Sequence, residues 1–305
     1  MNSFVSLVRV QNSDLGQSIS KALDLASFKF PSSVKSVVIK PNLCYYWDAA
    51  TGYTTDPRVV AAIIDCVREE YGKDVAIKVA EADASAMRTK YAFKVLGYEK
   101  MAQDKKVELF NLSEGELEEK TARVNNHQLQ FKVNPLLLNA DLFISVPKPK
   151  LMKIVKITCA MKNIFGCIGT PRKVIYHKHL NEAVVGINKI LRPHLTIVDG
   201  LTALGRFPVK LNLLMAGTST FSVDWVVSQM MGYNPSKVQF LKLSVAENIE
   251  NPRNVVTRGE NVAEFARIIP KEKFISTGFL WYLQFKMLGA YQKITGDIIP
   301  PVFQE

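Results

Sequence analysis

Paired cysteines are missing from this sequence. Its four cysteines, Cys44, Cys66, Cys159 and Cys167, form no CxxC spacing. That excludes a zinc knuckle, an iron–sulfur segment and a disulfide framework, and it suits a reducing cytoplasm. No uninterrupted apolar run reaches the roughly 18 residues that a membrane span requires. The segment Met1–Arg9 has the pattern of a strand, without the long apolar region and cleavage site of a secretory signal. No GxGxxG follows the first strand and no P-loop occurs, which disfavours dinucleotide binding and nucleotide hydrolysis. No histidine–carboxylate cluster is complete enough to assign a metal, and an Asp83, Asp199, Asp224 magnesium site has no support.

Acidic residues are absent from one long stretch. Residues 142–181 hold eight Lys/Arg (Lys148, Lys150, Lys153, Lys156, Lys162, Arg172, Lys173 and Lys178) and no Asp or Glu. The whole chain carries 39 basic and 28 acidic residues. Most of its +11 charge therefore resides here, and concentrated positive potential attracts anions. A solvated basic face is the plain alternative. Ile154, Val155, Ile157, Ile164 and Phe165 interrupt the charges, however, and such residues seek burial. Lysines threaded between core residues are expected to ring a pocket.

With 305 residues, 48% hydrophobic and 22% charged, the chain can bury a substantial core. Strands are predicted at 4–10, 37–40, 75–80, 107–112, 141–146, 195–198 and 211–216. Helices are predicted at 14–28, 57–71, 86–96, 179–191 and 221–231. Asp56 is the expected N-cap of the second helix, with Pro57 in its first turn. Residues 113–140 form an excursion, with a hairpin turning at Asn125-Asn126. The alternation implies an α/β fold: a mainly parallel, doubly wound sheet with a small β excursion and a C-terminal helical tail. We expect one α/β domain over 1–270 and an apolar helix and tail over 271–305. The segment 274–291, rich in Phe, Leu and Trp, is expected to dock on the core or on a second subunit, with shallow membrane contact as the alternative.

Ligands of open α/β sheets bind beyond the carboxyl ends of the strands. The residues expected there are Lys40 and Asn42, Glu81 and Asp83, Lys148 and Lys150, Asp199, and the Gly217–Thr220 turn. That turn offers backbone N–H groups at a helix start. Glu81, Asp83 and Lys148 are the candidate catalytic residues, and His177 and His179 are weighed with them for acid–base work. Lys40, Asn42, Lys150, Lys162, Asn163, Gly217 and Thr218 are the candidate anion- or cofactor-binding residues. A lysine among lysines loses its proton more readily, so this cluster can hold an anion or supply a base. The cysteines of the basic stretch have two readings as well, as thiols activated by lysines or as buried structural residues.

Six motifs occur in order: Lys40-Pro-Asn42, Thr55-Asp-Pro57, Pro147-Lys-Pro-Lys150, Met161-Lys-Asn-Ile-Phe-Gly-Cys167, Leu195-Thr-Ile-Val-Asp-Gly200, and Ala216-Gly-Thr218 with Val223-Asp224. On these the sequence resembles the prokaryotic domain of unknown function 362 family over roughly residues 36–233. Many members of that family carry ferredoxin-type [4Fe-4S] segments, which implies a redox setting; this chain lacks those cysteines. Members usually have a histidine after the second lysine of the PKxK motif, where this chain has Leu151-Met152. A fainter similarity, in architecture, is to the nickel-pincer lactate racemase group, and it implies racemase or epimerase chemistry on a hydroxy acid.

The leading expectation is an enzyme that binds a phosphate- or carboxylate-bearing small molecule or cofactor, with redox-associated or isomerase-type chemistry. The organic cofactor and substrate are not legible. The alternatives are a basic nucleic-acid-binding protein, which the lack of any recognised motif disfavours, and a peripheral membrane protein.

Overall fold

In chain order the elements are β1 (Ser3–Arg9), α1 (Leu15–Leu25), β2 (Ser36–Pro41), α2 (Pro57–Tyr71), β3 (Ala76–Glu81), α3 (Thr89–Val95), α4 (Tyr98–Lys105), β4 (Glu108–Asn111), β5 (Glu118–Val124), β6 (His127–Val133), α5 (Pro135–Leu138) and β7 (Leu142–Val146). They continue with β8 (Lys150–Met152), β9 (Lys156–Thr158), α6 (Ala160–Phe165), α7 (Leu180–Ile190), β10 (Leu195–Leu204), β11 (Pro208–Gly217), α8 (Thr220–Met230), α9 (Gln239–Ala246), β12 (Val255–Gly259) and α10 (Val262–Ile268). The computed structural model describes residues 2–270. The expected apolar helix at 274–291 and the tail to residue 305 lie outside the described residues.

The main sheet has the order β12-β1-β11-β10-β7-β2-β3-β4. From β10 to β4 every neighbouring pair is parallel. β11 breaks the pattern, running antiparallel to both β10 and β1. Strand residues alternate between the two faces. Val37, Ile39, Leu142 and Ile144 pack with α1 and α2, while Val38 and Phe143 join the layer that holds α6, α7 and α8.

Local signals explain most element boundaries. The Asp56 side chain accepts from the Arg58 N–H, and Pro57 occupies the first turn of α2, as the sequence predicts. β5 and β6 pair across Asn125-Asn126, and Asn125 takes a left-handed φ of 51°. Three expectations need correction. The helix expected at 86–96 is shorter, because Met87 is drawn into a bridge with Ala84. Gly97 ends it at a φ of 78°, and a further helix, α4, follows directly. The strand expected to end at Val198 continues to Leu204 as one arm of the β10–β11 hairpin, so Asp199 lies inside a strand.

Candidate anion site

The exits of β2, β7 and β10 are tied together by short polar residues. The Thr55 hydroxyl donates to the Val146 carbonyl (2.7 Å) and accepts from the Asn42 N–H (2.9 Å). This fixes the loop after β2 against the end of β7. The Asp199 carboxylate accepts from the backbone N–H groups of Asp56 (2.7 Å) and Leu201 (3.0 Å). The Lys148 ammonium lies 3.1 Å from the same carboxylate, and both residues are buried. That contact is an ion pair, and the Lys148 Nζ makes no hydrogen bond among the described residues. Burial disfavours the Asp56 charge, but the hydrogen-bonded Arg58 outweighs it and holds the carboxyl below its usual range.

Lys148 lines a cavity of about 720 Å³, together with Thr54, Thr55, Asp56, Arg58 and Lys210. The strand ends meet here, where an open parallel sheet places its ligands.

A second buried pair lies on the α6 side of the sheet. The Lys40 ammonium is 2.7 Å from the Glu81 carboxylate and also donates to the Pro41 carbonyl (2.8 Å) and to the Asn163 side-chain oxygen (3.1 Å). The Asn163 amide in turn donates to the Ser145 hydroxyl at 3.0 Å. Glu81 is further engaged by the N–H groups of Leu43 and Ala82, each at 3.0 Å. Gly166 lets the end of α6 approach this pair. A Cβ there would stand 2.9 Å from the Asn163 carbonyl oxygen and 3.3 Å from the Lys40 Nζ.

Three more lysines join this group without a carboxylate partner among the described residues. Lys150 is buried and donates to the side-chain oxygen of Asn42 (2.5 Å) and to the Tyr53 carbonyl (2.8 Å). Lys173 is buried and donates to the Asp83 carbonyl. Lys162 is half-buried, with its ammonium 3.9 Å from the centre of the Phe165 ring and no hydrogen bond to a described residue. Burial and the charges of Lys150 and Lys173 bring the Lys162 pKa down to about 7. Burial brings Lys173 down to about 8, against the opposing pull of Glu81. Lys150 is lowered mainly by burial, with Lys148 and Lys40 adding to the effect.

The neighbouring thiols and imidazole are not charged at neutral pH. Burial and then Asp224 push Cys159 well above its usual value, outweighing Lys150 and Lys148. Cys167 is pushed up to about 12, again by burial first. Both are structural cysteines, not activated ones. His177, beside Lys162, is lowered to about 4 by burial and by that charge, and so is neutral.

The structure thus brings Lys40, Asn42, Glu81, Lys148, Lys150, Lys162 and Asn163 to the strand ends. It places Asp83 just behind them, where its carboxylate accepts from the Thr89 N–H (2.8 Å) and pairs with Arg88 (3.1 Å) at the start of α3. Gly217 and Thr218 stand apart. Because β11 is antiparallel, Gly217 lies beside Thr196 at the amino end of β10. The hydroxyls of Ser219 and Ser222, which follow, donate to Glu250. Asp224 does not meet Asp83 or Asp199 either. It accepts from the N–H groups of Ala160 (2.7 Å) and Met161 (3.0 Å), capping α6 where Cys159 provides no side-chain cap. His177, weighed from sequence for acid–base work, lies beside Lys162, whereas Lys173 was not given a site role from sequence. The only signal for Lys173 was membership of the acid-free stretch; the 3₁₀ turn at Lys173–His179 carries it inward.

A family model described as "Domain of unknown function (DUF362)" matches residues 37–229. The thylakoid-associated protein sll1697 of Synechocystis is 25% identical over 252 residues, spanning 77% of this chain and 76% of that one. Among solved structures, the lactate racemase apoprotein of Thermoanaerobacterium thermosaccharolyticum aligns at a TM-score of 0.45 and 12% identity over 70% of this chain. A Thermotoga maritima protein aligns at 0.37 and 13% over 62%. The chain spans about half the length of these two, 54% and 50%. Among the described residues, no helix is long and apolar enough to cross a membrane.

Proposed function

The chain belongs to the domain of unknown function 362 family, and from the geometry of its strand ends we propose that it binds a small phosphate- or carboxylate-bearing molecule. One observation carries this reading: Lys150, Lys162 and Lys173 crowd together with no carboxylate partner among the described residues. Mutual repulsion in a partly dehydrated site is unfavourable unless an anion offsets it. Lys40 and Lys148, by contrast, are each matched by a buried carboxylate.

Within this reading Lys150 and Lys173 hold the anion, Asn42 and Asn163 fix the lysine network, and Lys162 handles protons. A group with a pKa of about 7 is suited to accept and return a proton at neutral pH. That favours isomerase-type proton transfer over roles for Glu81 and Asp83, whose oxygens are engaged by the chain's own donors.

Isothermal titration with inorganic phosphate and a panel of small hydroxy-carboxylates tests the binding. We expect saturable binding that Lys150→Ala with Lys173→Ala abolishes while the thermal melt stays cooperative. Incorporation of deuterium at carbon in D₂O, read by NMR, tests the proton transfer and should vanish in Lys162→Met. Binding of equal strength in the double-alanine variant would remove the proposal.

A further inference from the structure

Away from the lysine group, His127, His179 and Glu182 converge. One ligand-type atom from each lies within 4.8 Å of the other two, and all three residues are half-buried. The two imidazole rings face each other at a centroid distance of 4.1 Å. Among the described residues this is the one such trio of histidine, cysteine or carboxylate groups.

The three side chains come from two elements that are tied to each other, the β5–β6 hairpin and the start of α7. His127 opens β6 directly after the Asn125-Asn126 turn. That turn is anchored by the Asn125 N–H donating to Glu247 at 2.6 Å, and Glu247 also pairs with Lys189 on α7. His179 stands at the N-cap of α7 but makes no capping hydrogen bond, and Glu182 lies in the first turn of the same helix. A glutamate in a first turn has an ordinary use in offsetting the helix dipole, and two imidazoles in tilted contact have one in packing. Neither use explains why all three polar ends aim at one point. None of the three makes a hydrogen bond or ion pair with a described residue.

We propose that His127, His179 and Glu182 form a binding site for a divalent transition-metal ion of the zinc type. Two imidazoles and one carboxylate suit such a borderline ion, whereas magnesium and calcium favour oxygen donors. Tetrahedral coordination at about 2.0–2.1 Å places ligand atoms roughly 3.4 Å apart. The separations here therefore need only small side-chain rotations to close around an ion. Three protein ligands leave one position for water or a substrate atom, the pattern of an open zinc site and not of a closed structural one. An ion here would also join the β5–β6 hairpin to the turn that brings Lys173 into the lysine group. The proposal does not depend on the anion reading, because its probe is the metal alone.

The test is titration of the metal-free, untagged full chain with Zn²⁺ against a chromophoric chelator, with Co²⁺ as a spectroscopic substitute. We expect one ion per chain, d–d bands of a low-coordinate site with Co²⁺, and a raised melting midpoint with Zn²⁺. The double variant His127→Ala/His179→Ala should lose affinity by more than the roughly 10–100-fold that removal of a mere outer-shell partner costs. If that variant fails to fold by circular dichroism, Glu182→Gln decides, since it keeps shape and removes the anionic ligand. Stoichiometric binding that survives in Glu182→Gln and in the double variant with unchanged affinity would overturn the site. So would the absence of one-to-one binding by the parent.

Discussion

The Lys40 ammonium lies 2.7 Å from the Glu81 carboxylate, with both side chains almost wholly buried. Removing one member leaves an uncompensated charge in the interior, which typically costs about 3–5 kcal/mol. Lys40→Met should therefore lower unfolding stability by roughly that much in urea titration. Lys40→Met with Glu81→Gln should recover most of the loss, because both charges then leave together. A single-variant loss within the roughly 0–1 kcal/mol of a surface pair would show that the pair is hydrated.

Asp224 gives a prediction about the scaffold of the site. Its carboxylate is the cap of α6, so Asp224→Ala strands the N–H groups of Ala160 and Met161. With about 1–3 kcal/mol for each of the two unsatisfied buried donors, the loss should be on the order of 2–6 kcal/mol. The pH dependence has a definite sign. Burial raises the folded pKa to about 7 from an ordinary 3.8, although the two N–H groups oppose it. The resulting stabilisation is fully present below about pH 4 and is lost as pH rises toward 7. Asp224→Asn cannot titrate, so the parent's advantage over it should shrink between pH 4 and pH 8 in chemical denaturation. An advantage that grows over that range would contradict the burial of this carboxyl.

Lys162 behaves in the opposite sense. Its folded pKa of about 7 lies below the ordinary lysine value of 10.5, with burial the largest cause. The charged form is thus penalised in the folded chain. The penalty is complete below pH 7 and lifts between about pH 7 and 10.5, where the unfolded chain binds the extra proton. Lys162→Met should be more stable than the parent at pH 6, with the difference vanishing by about pH 10. Thermal melts of both proteins across that range check it. A constant difference would place the ammonium in water.

Local chemistry made much of this legible from sequence. Asp56-Pro57, the Asn125-Asn126 turn and Gly97 each carry their signal within a few residues. The apolar runs of β2 and β7 likewise announce buried parallel strands. The convergence of Lys40, Asn42 and Lys150 followed from one topological rule about strand ends, whereas Asn163 reaches them from α6. Charge pairing was not legible, because Lys148 finds Asp199 and Lys40 finds Glu81 only through sheet register. For the same reason Gly217 was misplaced: residues 211–216 read equally well as a parallel or an antiparallel strand, and only the hairpin with β10 decides the direction. The trio of His127, His179 and Glu182 was invisible for want of any spacing motif linking a hairpin to a helix start.

Asn42 offers the most selective test of the lysine group. Its side-chain oxygen accepts from Lys150 at 2.5 Å, a neutral acceptor where an ordinary buried lysine would have a carboxylate. Asn42→Asp keeps the shape and supplies that carboxylate, so Lys150 becomes internally neutralised. Stability should hold or rise, since a buried ammonium gains a counter-charge. Affinity for inorganic phosphate should fall by at least tenfold, about 1.4 kcal/mol, because the one added negative charge offsets the attraction of Lys150. Titration calorimetry of the parent and of Asn42→Asp, paired with melting curves, separates the two effects. Phosphate binding that is unchanged in a stable Asn42→Asp protein would mean that the anion sits elsewhere.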